Sequence, residues 1–293
     1  MRTWMRRAAV ALVGVVALLV LAAGLAYGLS EAKLNSASAP AHALDTTGVD
    51  VAEGKRLAGV FGCTGCHGPR LEGTMLIDAM PFARLPAPNL TAGRAGPRPT
   101  DERWELAIRH GIGFDGRAMF VMPSPEYSQL SDEHVGQIVA WARSLPPFAD
   151  TLPAREFGPV GRVLVALGQL PLAPTMIPAD VQHLDPVVGP TAEYGHYLTR
   201  LCVGCHGSDL RGGPPEQREP APGPDLSPAG NLGSWTPDQF IAAMRTGRTP
   251  DGRMLDPEQM PWGAIGQAND VELSAIWEYL SSLQPPDAPV HGM

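Results

Sequence analysis

The string C-x-x-C-H occurs twice, as CTGCH at 63–67 and CVGCH at 202–206, and it uses all four cysteines of the chain. None is left for a structural disulfide. Two thiols three residues apart lie on one side of a turn, where they can form thioethers with the two vinyl groups of a porphyrin. The next residue, a histidine, then faces the iron. A zinc or dithiol site is the competing use of C-x-x-C, but neither needs the adjacent His. Cys63, Cys66, Cys202 and Cys205 are therefore the expected attachment points of two covalent haem c groups. His67 and His206 are the expected iron ligands.

The two strings begin matching halves of an internal repeat. A shift of 136 positions lays Thr100–Arg117 on Thr236–Arg253, aligning Arg109, Gly111, Asp115, Gly116 and Arg117 with Arg245, Gly247, Asp251, Gly252 and Arg253. The same shift lays Pro88-Asn89-Leu90-Thr91 on Pro224-Asp225-Leu226-Ser227. A shift of 139 superposes the C-x-x-C-H strings, and one of 138 superposes Met122-Pro123 on Met260-Pro261. So long a period marks a tandem domain duplication, not a solenoid.

The duplicated Met-Pro pairs supply the sixth ligand. Met122 follows His67 by 55 residues and Met260 follows His206 by 54. A thioether is a soft ligand that favours ferrous iron and raises the potential. Met119 and Met254 are rivals with unequal offsets and no following Pro. Met75 and Met80 lack counterparts and read as packing residues. An axial His gives its second N–H to a nearby acceptor, for which the carbonyls of Pro88 and Pro224 are candidates, with Pro86 and Pro222 close by. Arg109, Arg245, Arg117 and Arg253 could pair with haem propionates or simply be solvated. Phe61, Trp104 and Trp141 read as pocket or core aromatics. The other histidines (42, 110, 134, 183, 196 and 291) have no repeat partner and are given no role.

Ahead of the repeat, MRTWMRR is followed by 22 uncharged residues from Ala8 to Leu29, long enough as a helix to span a hydrocarbon core of about 30 Å. Residues 1–30 therefore read as a single-pass anchor, with the haem domains on the periplasmic side. A cleaved signal peptide is the alternative, since 36–43 (SASAPAHA) contains small-residue patterns. Residues 31–48 are small and polar and read as a flexible tether with a reach of about 25 Å. Domains are expected at 49–147 and 190–285, with a Pro-rich linker at 148–189 carrying a short helix over PVGRVLVALGQL, and a tail at 286–293. Each unit reads as all-helical: Val49–Gly62, Thr100–His110 and a helix from Ser131 stopping at Pro146, then Thr191–Leu201, Thr236–Thr246 and Asn269–Leu283. No stretch shows strand alternation. The formal net charge of −8 argues against a nucleic-acid partner.

Together CTGCH and CVGCH, PNLT and PDLS, the D-G-R strings and the Met-Pro pairs resemble class I cytochrome c domains over about 49–147 and 190–285. They look most like the tandem domains of bacterial multi-haem cytochrome c subunits serving dehydrogenases or respiratory chains. The resemblance implies three main helices around each haem, His/Met ligation and electron transfer without bond chemistry. It implies redox partners: a membrane dehydrogenase, a quinol-oxidising complex, a terminal oxidase or a reaction centre. Dehydrogenase-linked members often carry three haem domains and this chain has two. A di-haem redox enzyme of peroxidase or thiosulfate-oxidising type is the alternative, though it requires an open or unusually ligated iron.

Overall fold

Side-chain caps set where the helices begin. The computed structural model describes residues 2–212 and 223–284; Pro222, His291 and the tail 286–293 lie outside the described residues. Helix α1 runs over Arg2–Asn35. In the first unit Asp50 accepts the N–H groups of Ala52 and Glu53 and starts α2 (Val51–Val60). Gly62, at positive φ, turns the chain into α3 (Cys63–His67). A hairpin of β1 (Thr74–Ala79) and β2 (Ala83–Ala87) follows. Thr100 caps α4 (Asp101–His110), which Gly111 ends in the left-handed conformation. Then come α5 (Ser124–Tyr127) and α6 (Asp132–Ser144), the latter capped by Ser131. Between the units lie β3 (Glu156–Phe157), α7 (Pro159–Leu167) and α8 (Ala173–Met176). The second unit repeats the plan with α9 (Ala192–Leu198), a 3₁₀ turn into α10 (Val203–His206), α11 (Pro237–Thr246), α12 (Trp262–Ile265) and α13 (Asp270–Ser282). The expected mostly helical class and duplicated plan are both present.

Each unit is closed by its first helix crossing its last at a glycine. A Cβ on Gly54 would lie 2.0 Å from the Gln137 carbonyl oxygen, and one on Gly195 1.9 Å from that of Ala275. Only glycine lets α2 meet α6, and α9 meet α13, backbone to backbone. Around these crossings Leu57, Val135 and Val139 in one unit, and Tyr197 and Leu273 in the other, are fully buried.

The two units share one continuous core. Arg56 on α2 donates to both oxygens of the buried Glu272 on α13, at 2.6 and 2.7 Å, and also to Glu53. The Tyr197 hydroxyl accepts the Ser131 N–H at 3.1 Å and bonds His134 Nδ1 at 2.8 Å. Apolar residues of both units pack into the same cluster around these polar links. Burying the aromatic and aliphatic surface supplies the attraction, and the paired polar groups fix the register.

Four expectations need correction. The segment 31–48 is not a free tether. Helix α1 continues through Asn35, Leu34 is buried against Val165 and Leu172, and Leu44 lies in the main core. Glu31 pairs with Arg117 at 3.0 Å and Arg162 at 2.7 Å, and Lys33 Nζ donates to the Ala166 carbonyl. Strands do occur: β1 and β2 pair antiparallel, and β3 from the linker adds to β2 through Ala83–Phe157 and Arg84–Glu156. Of the repeated arginines, Arg109 is buried rather than solvated, whereas Arg245 is exposed as one of the two readings expected. They bind Asp132 at 2.7 Å and Asp270 at 2.8 Å, and each donates to a backbone carbonyl before the last helix, of Leu130 and of Gly266. Arg117 belongs to Glu31, while Arg253 is exposed. Finally, Met75 and Met80 are exposed rather than packed. The linker helix ends at Leu167 because Gly168 adopts positive φ.

Candidate haem sites

The loop after each C-x-x-C-H string has the same construction in both units. Gly73 N–H bonds the His67 carbonyl and Gly212 N–H that of His206. Leu71 and Leu210 adopt φ of 56° and 61°, a strained choice for leucine. Both are buried in the main core, so packing holds the strain. The carbonyls of these leucines receive the N–H groups of Leu90 and Leu226. Asn89 and Asp225 then close side-chain turns, accepting the N–H groups of Thr91 at 2.9 Å and Ser227 at 2.7 Å.

These loops bring a proline carbonyl to each histidine. His67 Nδ1 lies 2.9 Å from the Pro88 oxygen and His206 Nδ1 2.7 Å from the Pro224 oxygen. A carbonyl only accepts, so Nδ1 carries the proton and Nε2 keeps its lone pair. Both imidazoles are buried, and burial holds both histidines below their ordinary value, against a smaller opposing effect of the proline carbonyl. Neutral imidazole with a free Nε2 is the form that binds iron. Pro86, the other expected candidate near His67, sits in β2 opposite Met75.

No disulfide joins the four cysteines, and burial pushes the Cys63 and Cys202 thiols up to about 12.

The Met-Pro pairs also match in geometry. Pro123 and Pro261 adopt φ, ψ of −78°, 52° and −76°, 54°, each opening a one-turn helix. In both, the N–H two residues after Met bonds the Met carbonyl, at 2.8 Å for Met122 and 2.7 Å for Met260, closing an inverse γ-turn. Met122 and Met260 are half-buried against the main core, whereas Met254 is exposed and Met119 lies outside that cluster. The donor set of unbridged cysteine pairs, lone-pair imidazoles and half-buried thioethers, among apolar residues, fits covalent haem.

At the contact between units, Phe61 was expected as a pocket or core aromatic, while His134, Tyr197 and Tyr127 were given no role from sequence. Phe61, two positions before Cys63, lies 5.9 Å ring to ring from His134. His134 lies 5.6 Å from Tyr197, on the helix before Cys202. Tyr127 OH also bonds the Phe61 carbonyl at 2.6 Å. The element presenting Cys63 and the one presenting Cys202 are thus joined by a short series of aromatic rings. No single-sequence signal pairs these positions, because His134 and Tyr197 have no counterparts in the repeat.

The chain is similar to curated cytochrome subunits. It is 24% identical to the fructose dehydrogenase cytochrome subunit of Gluconobacter japonicus over 80% of this chain and 52% of the relative. It is 25% identical to the cytochrome c subunit of alcohol dehydrogenase (quinone) from Gluconacetobacter polyoxogenes, and from Komagataeibacter europaeus, over 91% of this chain and 62% of each relative. The chain spans between half and two thirds of the length of these relatives. The cytochrome c family model matches residues 51–146 and 194–284, nearly the whole of both units. The chain belongs to the cytochrome c family.

Proposed function

We propose that this chain is a two-haem electron-transfer subunit, held on the periplasmic face of the cell membrane, that takes electrons from a membrane dehydrogenase. The observation that carries it is the duplicated C-x-x-C-H histidine, buried, with Nδ1 bonded to a proline carbonyl. One haem c would be held by Cys63, Cys66, His67 and Met122, the other by Cys202, Cys205, His206 and Met260. Bound haem iron supplies reversible one-electron oxidation and reduction. The protein's part would be to fix His67 and His206 in one tautomer, to offer a soft sulfur from Met122 and Met260, and to surround both with apolar side chains. Phe61 and Trp104 in the first unit and Phe240 in the second contribute to that dry lining. A low local dielectric disfavours the added ferric charge and raises the potential.

The shared core holds the two sites in one fixed relation, which suits passage of electrons from unit to unit. The kind of electron donor follows from the relatives, which are cytochrome subunits of fructose and alcohol dehydrogenases. Helix α1 is long and apolar enough to cross a membrane. We read it as a retained anchor because its last two turns are built into the protein. Cleavage within 36–43 would take Glu31 from Arg117 and Arg162, and Leu34 from its pocket.

Detergent extraction from native membranes, followed by mass analysis, tests this reading. The expected result is co-purification with a dehydrogenase subunit and an intact N-terminus. Isolation alone, with the N-terminal 35 residues missing, overturns both the partner and the anchor.

A further inference from the structure

Away from both C-x-x-C-H strings and both Met-Pro turns, three ligand-type side chains converge on one point. Glu105 and His110 come from α4, and His183 comes from the linker. His110 Nε2 lies 3.1 Å and His183 Nε2 3.7 Å from the same Glu105 oxygen, Oε1. One ligand atom from each of the three residues falls within 4.8 Å of the other two. Ligands bonded tetrahedrally at about 2.0–2.1 Å stand about 3.3 Å apart, so these distances bracket those of a formed site.

Three further observations point to a missing cation. Glu105 is fully buried, and its second oxygen, Oε2, has no hydrogen-bond partner among the described residues. A buried carboxylate oxygen left unpaired is costly unless something compensates it. Arg109 does not do so fully: its Nη1 stands 3.8 Å from Glu105 Oε1, beyond hydrogen-bond reach, while Nη2 is committed to Asp132 at 2.7 Å. Two carboxylates, Glu105 and Asp132, thus face one guanidinium and leave an excess negative charge beside two imidazoles. His183 also turns its other nitrogen, Nδ1, to Asp132 Oδ1 at 3.3 Å. A carboxylate behind the far nitrogen of an imidazole is the usual support of a metal-bound histidine. His42 packs edge-on against His183, with ring centroids 6.2 Å apart.

We propose that Glu105, His110 and His183 bind one divalent transition-metal ion of the zinc class, which clamps the linker between the units onto the first unit. Two imidazoles and a carboxylate suit zinc, with a fourth position left for water. The clamp acts on a segment otherwise tied there by the Leu184 N–H to the Gln129 carbonyl, 3.1 Å. By holding residues 183–184 it fixes the point from which the chain enters the second unit. The inference does not depend on the haem reading.

The test uses the full-length haem-loaded protein in detergent, stripped with a chelator and titrated with Zn²⁺. Bound zinc is counted by elemental analysis, apart from haem iron. The expected result is about one zinc per chain, with His183→Ala lowering affinity by more than about 100-fold, beyond the loss typical of an outer-shell partner, at unchanged haem content. His110→Gln should do the same, and His196→Ala, on an exposed histidine elsewhere, should change nothing. Zinc should also slow proteolysis between 171 and 190 in the wild type but not in His183→Ala. Zinc well below one per chain overturns the proposal, as does equal binding by the wild type, His183→Ala and His110→Gln.

Discussion

Replacing Gly195 by alanine tests how each unit is closed. The new Cβ would stand 1.9 Å from the Ala275 carbonyl oxygen, where ordinary contacts begin near 3.4 Å. Both atoms belong to helix backbones, so α9 and α13 must part by more than about 1 Å. Even a gap of about 0.5–1 Å, left after partial re-packing, forfeits a quarter to a half of the contact energy across it. Tyr194, Leu198, Leu273, Ile276 and Leu280 line the crossing and are buried. At about 2 kcal/mol each they carry roughly 10 kcal/mol, so the loss is about 2.5–5 kcal/mol. Alanine returns about 0.5–1 kcal/mol of helix propensity. The net destabilisation is about 2–4 kcal/mol, or roughly 4–16 °C in Tm for two units that unfold together. Thermal unfolding followed by far-ultraviolet circular dichroism and by Soret absorbance measures it. Gly263→Ala is the control, since nothing lies within 4 Å of its Cβ; it should stay within about 1 kcal/mol of wild type. Gly195→Ala within 1 kcal/mol of wild type would refute the backbone-contact argument.

Further consequences concern the join between units and the iron ligands. Tyr197→Phe strips partners from the Ser131 N–H and His134 Nδ1, weakening the contact by about 1–3 kcal/mol; calorimetry should resolve two transitions where wild type shows one. Burial holds His134 below its ordinary value, outweighing the opposing pull of Glu133 and Glu272. The unfolded chain therefore takes up the proton first, and stability present above about pH 6.5 declines as pH falls below it. Urea titrations at several pH values should show this slope reduced in His134→Gln. Met260→Leu should abolish the sulfur-to-iron charge-transfer band of one haem and lower its potential, leaving the other unchanged in a redox titration.

Much of this fold could be read where a local rule decides. Thr100, Ser131, Thr191, Thr236 and Asn269 stand at helix starts, and each accepts a backbone N–H in the following turn. The Met-Pro and Pro-Asn-Leu loops could be read because they recur. What escaped depends on long-range contact. The hairpin over 74–87 has no counterpart among the described residues of the second unit, and Pro81 and Pro86 break its alternation; only β3, some seventy residues on, completes its edge. Leu34 and Leu44 are single apolar residues in a polar stretch, and nothing local says that each finds a pocket. Gly54 and Gly195 escaped because their shift, 141, differs from that of the cysteines they precede. Arg109 is charged and looks solvated, yet it is fully buried and reaches out to the exposed Asp132.

The central claim is that one chain carries two covalent haems. The direct measurement is the mass of the intact chain purified from its membrane, combined with a pyridine haemochrome assay and thiol alkylation. The account predicts two thioether-linked haems per chain, no alkylatable cysteine, and loss of one haem in Cys63→Ala/Cys66→Ala with the other retained. A chain with one haem or none, or with either cysteine pair open to alkylation, would contradict it.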